Sequence, residues 1–283
     1  MEKTKIDWCD STWNPVTGCQ HNCEYCYARS IAERFAGCDS DSTYGAYHQA
    51  TWRRVNPDDP KENALFEVDA KCPPINVRFD PEKQQQKTSV APYPWGFKPT
   101  FRRDRLADYE KKAGRTIFVC SMADLFGEWV PDSWIEEVFA ACKSASQHNY
   151  LFLTKNPRRY IELEIKKEMP YGDNFWFGTS VTKLSDKYAW FEAGKVGFHW
   201  FLSVEPLLED LGAMNPDSAK PEWVIIGAET GKRKDKVVPE RARIENLVGE
   251  CRKYDIPVFM KSSLEEIWGG PLIQEFPKQL KTC

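Results

Sequence analysis

Histidine is scarce in this chain: His21, His48, His148 and His199 are the only ones among 283 residues. No HExxH motif occurs, and with so few histidines no Ser/His/Asp arrangement competes for attention. Long apolar runs are missing as well. Those present, such as Trp223-Val-Ile-Ile226, are strand-sized and far too short to span a bilayer. Met1-Glu-Lys-Thr-Lys5 leads into Ile6-Asp-Trp-Cys9 without the apolar stretch a secretory signal needs. The expectation is a cytoplasmic protein with reduced thiols and no membrane partner. Strong charge of either sign is absent too. A formal net charge of −3 gives no global pull toward nucleic acid, yet leaves room for a local basic groove. With 41% hydrophobic and 29% charged residues the chain is globular rather than disordered, and its length suits one large barrel or two modest domains.

Cysteine, by contrast, is plentiful. Three of the ten cysteines fall in the run Gly18-Cys-Gln-His-Asn-Cys-Glu-Tyr-Cys-Tyr27, where Cys19, Cys23 and Cys26 are spaced C-x3-C-x2-C. Three thiolates this close can converge on one soft metal centre. A tetrahedral zinc site closes with four ligands, and a [4Fe–4S] cube normally takes four cysteines as well. Three leave one position open; on a cube, that is an iron free to hold a small molecule. Two alternatives stand beside the cluster: a zinc knuckle with a distant fourth ligand, and a chance grouping. The remaining cysteines, Cys9, Cys38, Cys72, Cys120, Cys142, Cys251 and Cys283, form no second tight group and read as small buried residues or free thiols, although Cys38 and Cys72 can meet across an inserted loop.

The cysteine spacing resembles that of the radical S-adenosylmethionine (SAM) superfamily, as does the aromatic Tyr25 before the third cysteine. The resemblance implies a [4Fe–4S] cluster on Cys19, Cys23 and Cys26, with the amino and carboxylate groups of SAM on the fourth iron. It further implies an electron donor such as flavodoxin or ferredoxin, and reductive cleavage of SAM to methionine and a 5′-deoxyadenosyl radical that abstracts hydrogen from a substrate. Two rival classes remain: a zinc-binding nucleic-acid module without catalysis, and a non-catalytic cluster-binding partner protein.

From residue 115 onward, short apolar runs alternate with helical stretches. Strands are predicted at Thr116–Cys120, Tyr150–Leu153, Phe175–Phe177, His199–Leu202, Trp223–Ile226 and Pro257–Met260. Helices are predicted at about Asp132–Ser144, Pro157–Lys167, Leu184–Ala193 and Arg241–Tyr254. Fully apolar strands separated by helices signal a parallel sheet of βα units. Adding a strand before Cys19 and another at Ile75–Phe79 gives six to eight units. The fold class is therefore α/β, a partial or complete parallel βα barrel in a single domain over residues 1–283. Residues 37–115 break the rhythm. They are rich in Pro, Asp, Lys and Gln, and also in aromatics such as Tyr44, Tyr47, Trp52, Phe66, Tyr93, Trp95, Phe97 and Phe101, which reads as an inserted cap or substrate-binding segment.

Polar residues stand just past nearly every predicted strand: Asp124, Lys155, Ser180, Glu205, Glu229 and Lys261. In a parallel βα sheet those positions share one rim, where ligands bind. Carboxylates facing lysines there suit a zwitterion such as the methionine end of SAM, with Tyr25 beside the adenine or the cluster. Singly, each is equally well read as a helix cap or a rim ion pair. The strings Trp13-Asn-Pro-Val-Thr-Gly18, Ser121-Met-Ala-Asp-Leu-Phe126, Leu153-Thr-Lys155, Phe201-Leu-Ser-Val-Glu-Pro-Leu-Leu208 and Trp223-Val-Ile-Ile-Gly227 resemble the phage Gp37/Gp68-type (DUF5131) family, grouped with radical SAM proteins near spore photoproduct lyase. Many members have a longer gap between the first two cysteines. The family's usual Gly-Gly-Glu-Ser-Gly is Gly227-Ala-Glu-Thr-Gly231 here, which keeps the Glu. The label carries no substrate. Lys232, Arg233 and Lys234 after a glycine, and Arg102 and Arg103 beside Phe101, are candidate phosphate contacts, each equally readable as solvated surface. A nucleotide or nucleic acid thus stands level with a small metabolite or peptide as substrate.

Overall fold

The computed structural model describes residues 4–36, 52–54, 65–70, 75–186, 198–214, 220–231 and 233–280. Its centre is a seven-stranded sheet of β1 (Ser11–Trp13), β8 (Thr116–Val119), β9 (Asn149–Thr154), β10 (Phe175–Ser180), β11 (His199–Val204), β12 (Trp223–Ile226) and β13 (Val258–Met260). Spatial order follows chain order and every pairing is parallel. A sheet without a reversal in strand order curls instead of staying open for two layers of helices, and this one forms a half-barrel.

The strands form where apolar residues run continuously, because both faces are covered. Phe118, Leu151, Trp176, Phe201, Trp223, Ile225 and Phe259 point into the concave side, where Trp8 and Leu280 join them from the two ends of the chain. Phe276 packs on Trp223 with ring centroids 5.4 Å apart. The convex side carries the alternate residues. Ile117, Val119, Tyr150, Phe152, Phe175 and Phe177 meet α2 (Asp132–Ser144) and α3 (Arg158–Ile165), while Leu202, Val204, Val224, Ile226, Val258 and Met260 meet α4 (Arg241–Lys253). A first helix, α1 (Tyr27–Arg34), follows the cysteine run, and α5 (Glu265–Trp268) follows β13. Among the described residues no helix is long and apolar enough to cross a membrane.

Two expectations change. Ile75–Phe79 is not a barrel strand: it lies in β5 (Ile75–Asp80), paired antiparallel with β6 (Gln85–Val90) in a separate hairpin. Its sequence alternates apolar and polar residues, the pattern of a hairpin strand rather than of one buried on both faces. The helix expected at Leu184–Ala193 is described only at its start, as a 3-10 turn over Leu184–Asp186; the rest lies outside the described residues.

Tyr44, Tyr47, Cys38 and Cys72 also lie outside the described residues. What is described of the 37–115 segment packs beside the barrel. β7 (Thr100–Arg102) pairs with β2 (Val16–Thr17) and with β4 (Phe66–Val68), which in turn pairs with β3 (Trp52–Arg54). Phe101 stacks on Trp134 of α2 at 5.4 Å, and the Trp134 indole donates to Glu67 Oε1 at 2.7 Å. Phe97 packs with Ala28 and Ala32 of α1.

Candidate functional site

The cysteine run begins where β1 and β2 deliver the chain to the C-terminal rim of the sheet. Gly18 is required there. Its φ is +85°, and a Cβ would stand 2.3 Å from the carbonyl oxygen of Lys98. That close approach lets the Gly18 N–H bond Met122 O at 2.9 Å and the Cys19 N–H bond Phe97 O at 3.2 Å, which roots the run on two neighbouring segments. Cys26 then caps α1, its sulfur accepting from Arg29 N at 3.4 Å. The Cys19 sulfur accepts from His21 N at 3.5 Å. All three cysteines are free thiols and half-buried.

Burial pushes the Cys19 thiol up to about 12; the His21 N–H eases this, and Asp124 and the other two cysteines add to it. Burial also raises Cys23, against the pull of Lys155. Each thiolate opposes the next, so a cationic centre is the natural way to hold the set ionised. Thiolates are the donors that iron–sulfur clusters take, one to each iron. Among the described residues, no three His, Cys, Asp or Glu side chains form a group able to hold a single metal ion.

At Cys23 opens a cavity of about 840 Å³, whose lining includes His21, Tyr25, Trp129, Lys155, Ser180, Asp186 and Arg233. Lys155 Nζ donates to the Tyr25 hydroxyl at 2.9 Å. Burial works to lower the Lys155 pKa, but Tyr25, Cys23 and Asp186 outweigh it and raise it. The cavity thus joins the cations Lys155, Lys183 and Arg233 to the carboxylates Glu24, Glu128, Asp186 and Asp235 and to hydroxyls, next to a thiol, at the strand-end rim.

The sequence model of the family described as "Protein of unknown function (DUF5131)" matches residues 3–271. The chain belongs to the DUF5131 family. No curated protein and no solved structure matches it.

In this DUF5131 protein the predicted rim residues separate into three groups. Tyr25, Lys155, Ser180 and Arg233 share the cavity with Cys23. Asp124 and Glu229 stand behind it with their oxygens engaged by the protein. Asp124 is 5% exposed and accepts from Phe126 N (3.0 Å), Thr154 Oγ1 (2.7 Å), Lys155 N (2.9 Å) and the His21 ring (2.7 Å). Burial pushes its carboxyl up, but His21, the Lys155 N–H and Thr154 prevail and hold it below the ordinary value. Glu229 receives a two-point contact from Arg233, at 2.7 and 2.8 Å, and a third bond from Val237 N. In this arrangement both carboxylates are engaged by protein donors rather than turned into the cavity.

Glu205 and Lys261 make the third group. They form an ion pair with each other outside the cavity lining. Gly227, just past the end of β12 between them, leaves room for the pair, since a Cβ there would come within 3.1 Å of both side chains. Arg102 and Arg103, read as candidate phosphate contacts, are engaged by the protein itself. Arg102 is 0% exposed, and its guanidinium holds Asp104 and the carbonyls of Ala91 and Pro92. Arg103 forks between Glu67 and Glu137. Lys232 lies outside the described residues, and Lys234 is exposed beside the cavity without lining it.

Sequence reasoning missed His21, Trp129, Asn156 and Asp186. His21 was legible in principle, since it sits inside the first gap of the cysteine motif. Trp129 and Asp186 come from loops whose sequence carries no such flag.

Proposed function

We propose that this protein is a radical SAM enzyme. The observation that carries the reading is the C-x3-C-x2-C run seated on the C-terminal rim of a parallel half-barrel, with Cys23 opening onto a cavity that holds paired charges. Cys19, Cys23 and Cys26 would ligate a [4Fe–4S] cluster. When bound, the cluster would supply one electron to SAM, whose cleavage yields methionine and a 5′-deoxyadenosyl radical.

The chain's own residues have defined tasks in this reading. Lys155, held by Tyr25, offers a fixed ammonium to the SAM carboxylate. Ser180 and Asp186 offer acceptors to its amino group or ribose hydroxyls. Trp129 and Leu208 supply apolar wall, and the enclosing strands keep water away from the reacting centre. Anaerobic reconstitution with iron, sulfide, dithionite and SAM tests the reading. Methionine and 5′-deoxyadenosine should appear together. A colourless zinc protein, or one that binds SAM without cleaving it, would overturn it in favour of the zinc-module or partner-protein class.

Lys155→Met should weaken SAM binding to the reconstituted protein by roughly tenfold to over a hundredfold, the loss of one charged hydrogen bond of about 1.5–3 kcal/mol in a half-buried site. Equilibrium dialysis measures it, and unchanged affinity would move the SAM site elsewhere on the rim.

For the substrate, a nucleotide or nucleic acid would meet Arg233, which lines the cavity while Glu229 holds it, and exposed Lys234; Arg102 and Arg103 are engaged within the fold. The capping role of residues 37–115 rests on the aromatic content of that segment, and protection from limited proteolysis by bound substrate tests it. Flavodoxin or ferredoxin remains the expected electron donor.

A further inference from the structure

We infer that Asp124 is the positioning residue of the cysteine run, tying down both gaps of the C-x3-C-x2-C spacing. The functional consequence rests on the cluster reading; the geometry does not. In the first gap, the His21 ring meets Asp124 Oδ2 at 2.7 Å. In the second, Tyr25 is held by Lys155 Nζ at 2.9 Å, and the Lys155 backbone N–H is held by the same Asp124 oxygen at 2.9 Å. One buried carboxylate therefore governs the segment between Cys19 and Cys23 directly, and the segment between Cys23 and Cys26 through one intermediary.

Asp124 is itself held through its other oxygen. Its Oδ1 takes the Phe126 N–H at 3.0 Å and the Thr154 hydroxyl at 2.7 Å, which fixes the carboxylate across the ends of β8 and β9. Because Oδ2 is an acceptor, the His21 nitrogen facing it must be the donor. That assigns the proton to Nε2 and leaves Nδ1 on the far side of the ring. Trp129 packs edge-on to His21, centroids 4.9 Å apart, and closes the ring's other freedom. The remaining anchors lie at the ends of the run, in the Gly18 and Cys19 backbone bonds and the α1 cap. Asn22 within the first gap has φ +56°, the left-handed turn conformation that asparagine adopts more readily than most residues. A cluster bound at three points needs those points preset. The Asp124–His21 contact holds the loop from outside the ligand set, as outer partners orient ligands at metal sites.

The test compares His21→Phe, His21→Gln, Asp124→Asn and wild type, each first without cluster. Modification rates of Cys19, Cys23 and Cys26 by a maleimide are read by peptide mass spectrometry. His21→Phe, which keeps the packing on Trp129 and loses the donor, should speed modification of Cys19 and Cys23 by about tenfold, the scale of one charged hydrogen bond. His21→Gln, whose amide N–H can still donate to Asp124, should recover most of the wild-type rate. After reconstitution, the electron paramagnetic resonance signal of reduced His21→Phe should broaden or shift and its iron content fall, while far-ultraviolet circular dichroism stays unchanged. If Asp124→Asn fails to fold, the His21 pair still decides. Equal thiol rates in His21→Phe and wild type would overturn the inference. If wild type takes up no iron, the cluster reading fails, and the thiol rates still judge the positioning role by themselves.

Discussion

Alanine at Cys19, Cys23 or Cys26 should each abolish the brown visible absorption of the reconstituted protein and every trace of SAM cleavage. A cube held by three protein thiolates cannot lose one and stay bound, so the loss is expected to be all or none rather than graded. The fold should survive each change. None of the three cysteines belongs to the large aromatic and aliphatic clusters that fill the two faces of the sheet; Cys19 and Cys26 only flank a small group formed by Ala28, Ala32, Phe97 and Met122. Far-ultraviolet circular dichroism and a denaturant midpoint close to wild type are therefore predicted for all three. Cys142→Ala and Cys251→Ala are the controls. Both residues are fully buried on helices α2 and α4, away from the run, and their variants should load iron normally while losing some stability. An alanine variant of the run that kept about four irons per chain would sink the assignment.

The reach of the sequence differs between the sheet and the site for physical reasons. Trp223–Ile226 was legible as a strand because four successive apolar residues have nowhere to go but a layer covered on both sides. Asp132–Ser144 was legible as a helix because Trp134, Ile135, Val138, Phe139 and Cys142 recur at helical spacing, and these residues are the ones buried. The cysteine spacing was local and needed no fold to be seen. The rim was predictable as a place, since a parallel sheet puts its strand ends together. Which rim residue faces a ligand and which faces the protein was not. Asp124 and Lys155 look alike as charges beyond a strand, yet one is saturated by four donors and the other extends into the cavity. Glu205 and Lys261, separated by more than fifty positions, were read as two ligand contacts; they found each other across Gly227 instead. Long-range pairing of polar side chains leaves no periodic signature in a chain.

Arg102→Ala should destabilise the protein by about 3–5 kcal/mol, the penalty for removing one partner from a buried charge pair. Arg102 looked in sequence like a phosphate contact, because a basic residue follows an aromatic one in a polar insertion. Its guanidinium is instead the interior peg of that insertion. Nε and Nη2 grip Asp104 at 2.8 and 2.7 Å, and Nη1 donates to the carbonyls of Ala91 and Pro92 at 3.0 and 3.1 Å. Alanine would leave a carboxylate that is 9% exposed and the Ala91 carbonyl without this donor, while Pro92 O keeps its bond from Arg105. Lysine should rescue little, because one ammonium on a flexible stem cannot match a planar fork that serves a carboxylate and two carbonyls at once. Urea unfolding of wild type, Arg102→Ala and Arg102→Lys measures the loss. In parallel, titration with short single-stranded and duplex oligonucleotides at two ionic strengths separates the two readings. A phosphate contact would remove about one unit of salt slope and leave stability alone. The buried peg predicts the reverse, a large drop in stability with the salt slope unchanged for whatever fraction remains folded, and an Arg102→Ala protein as stable as wild type would refute it.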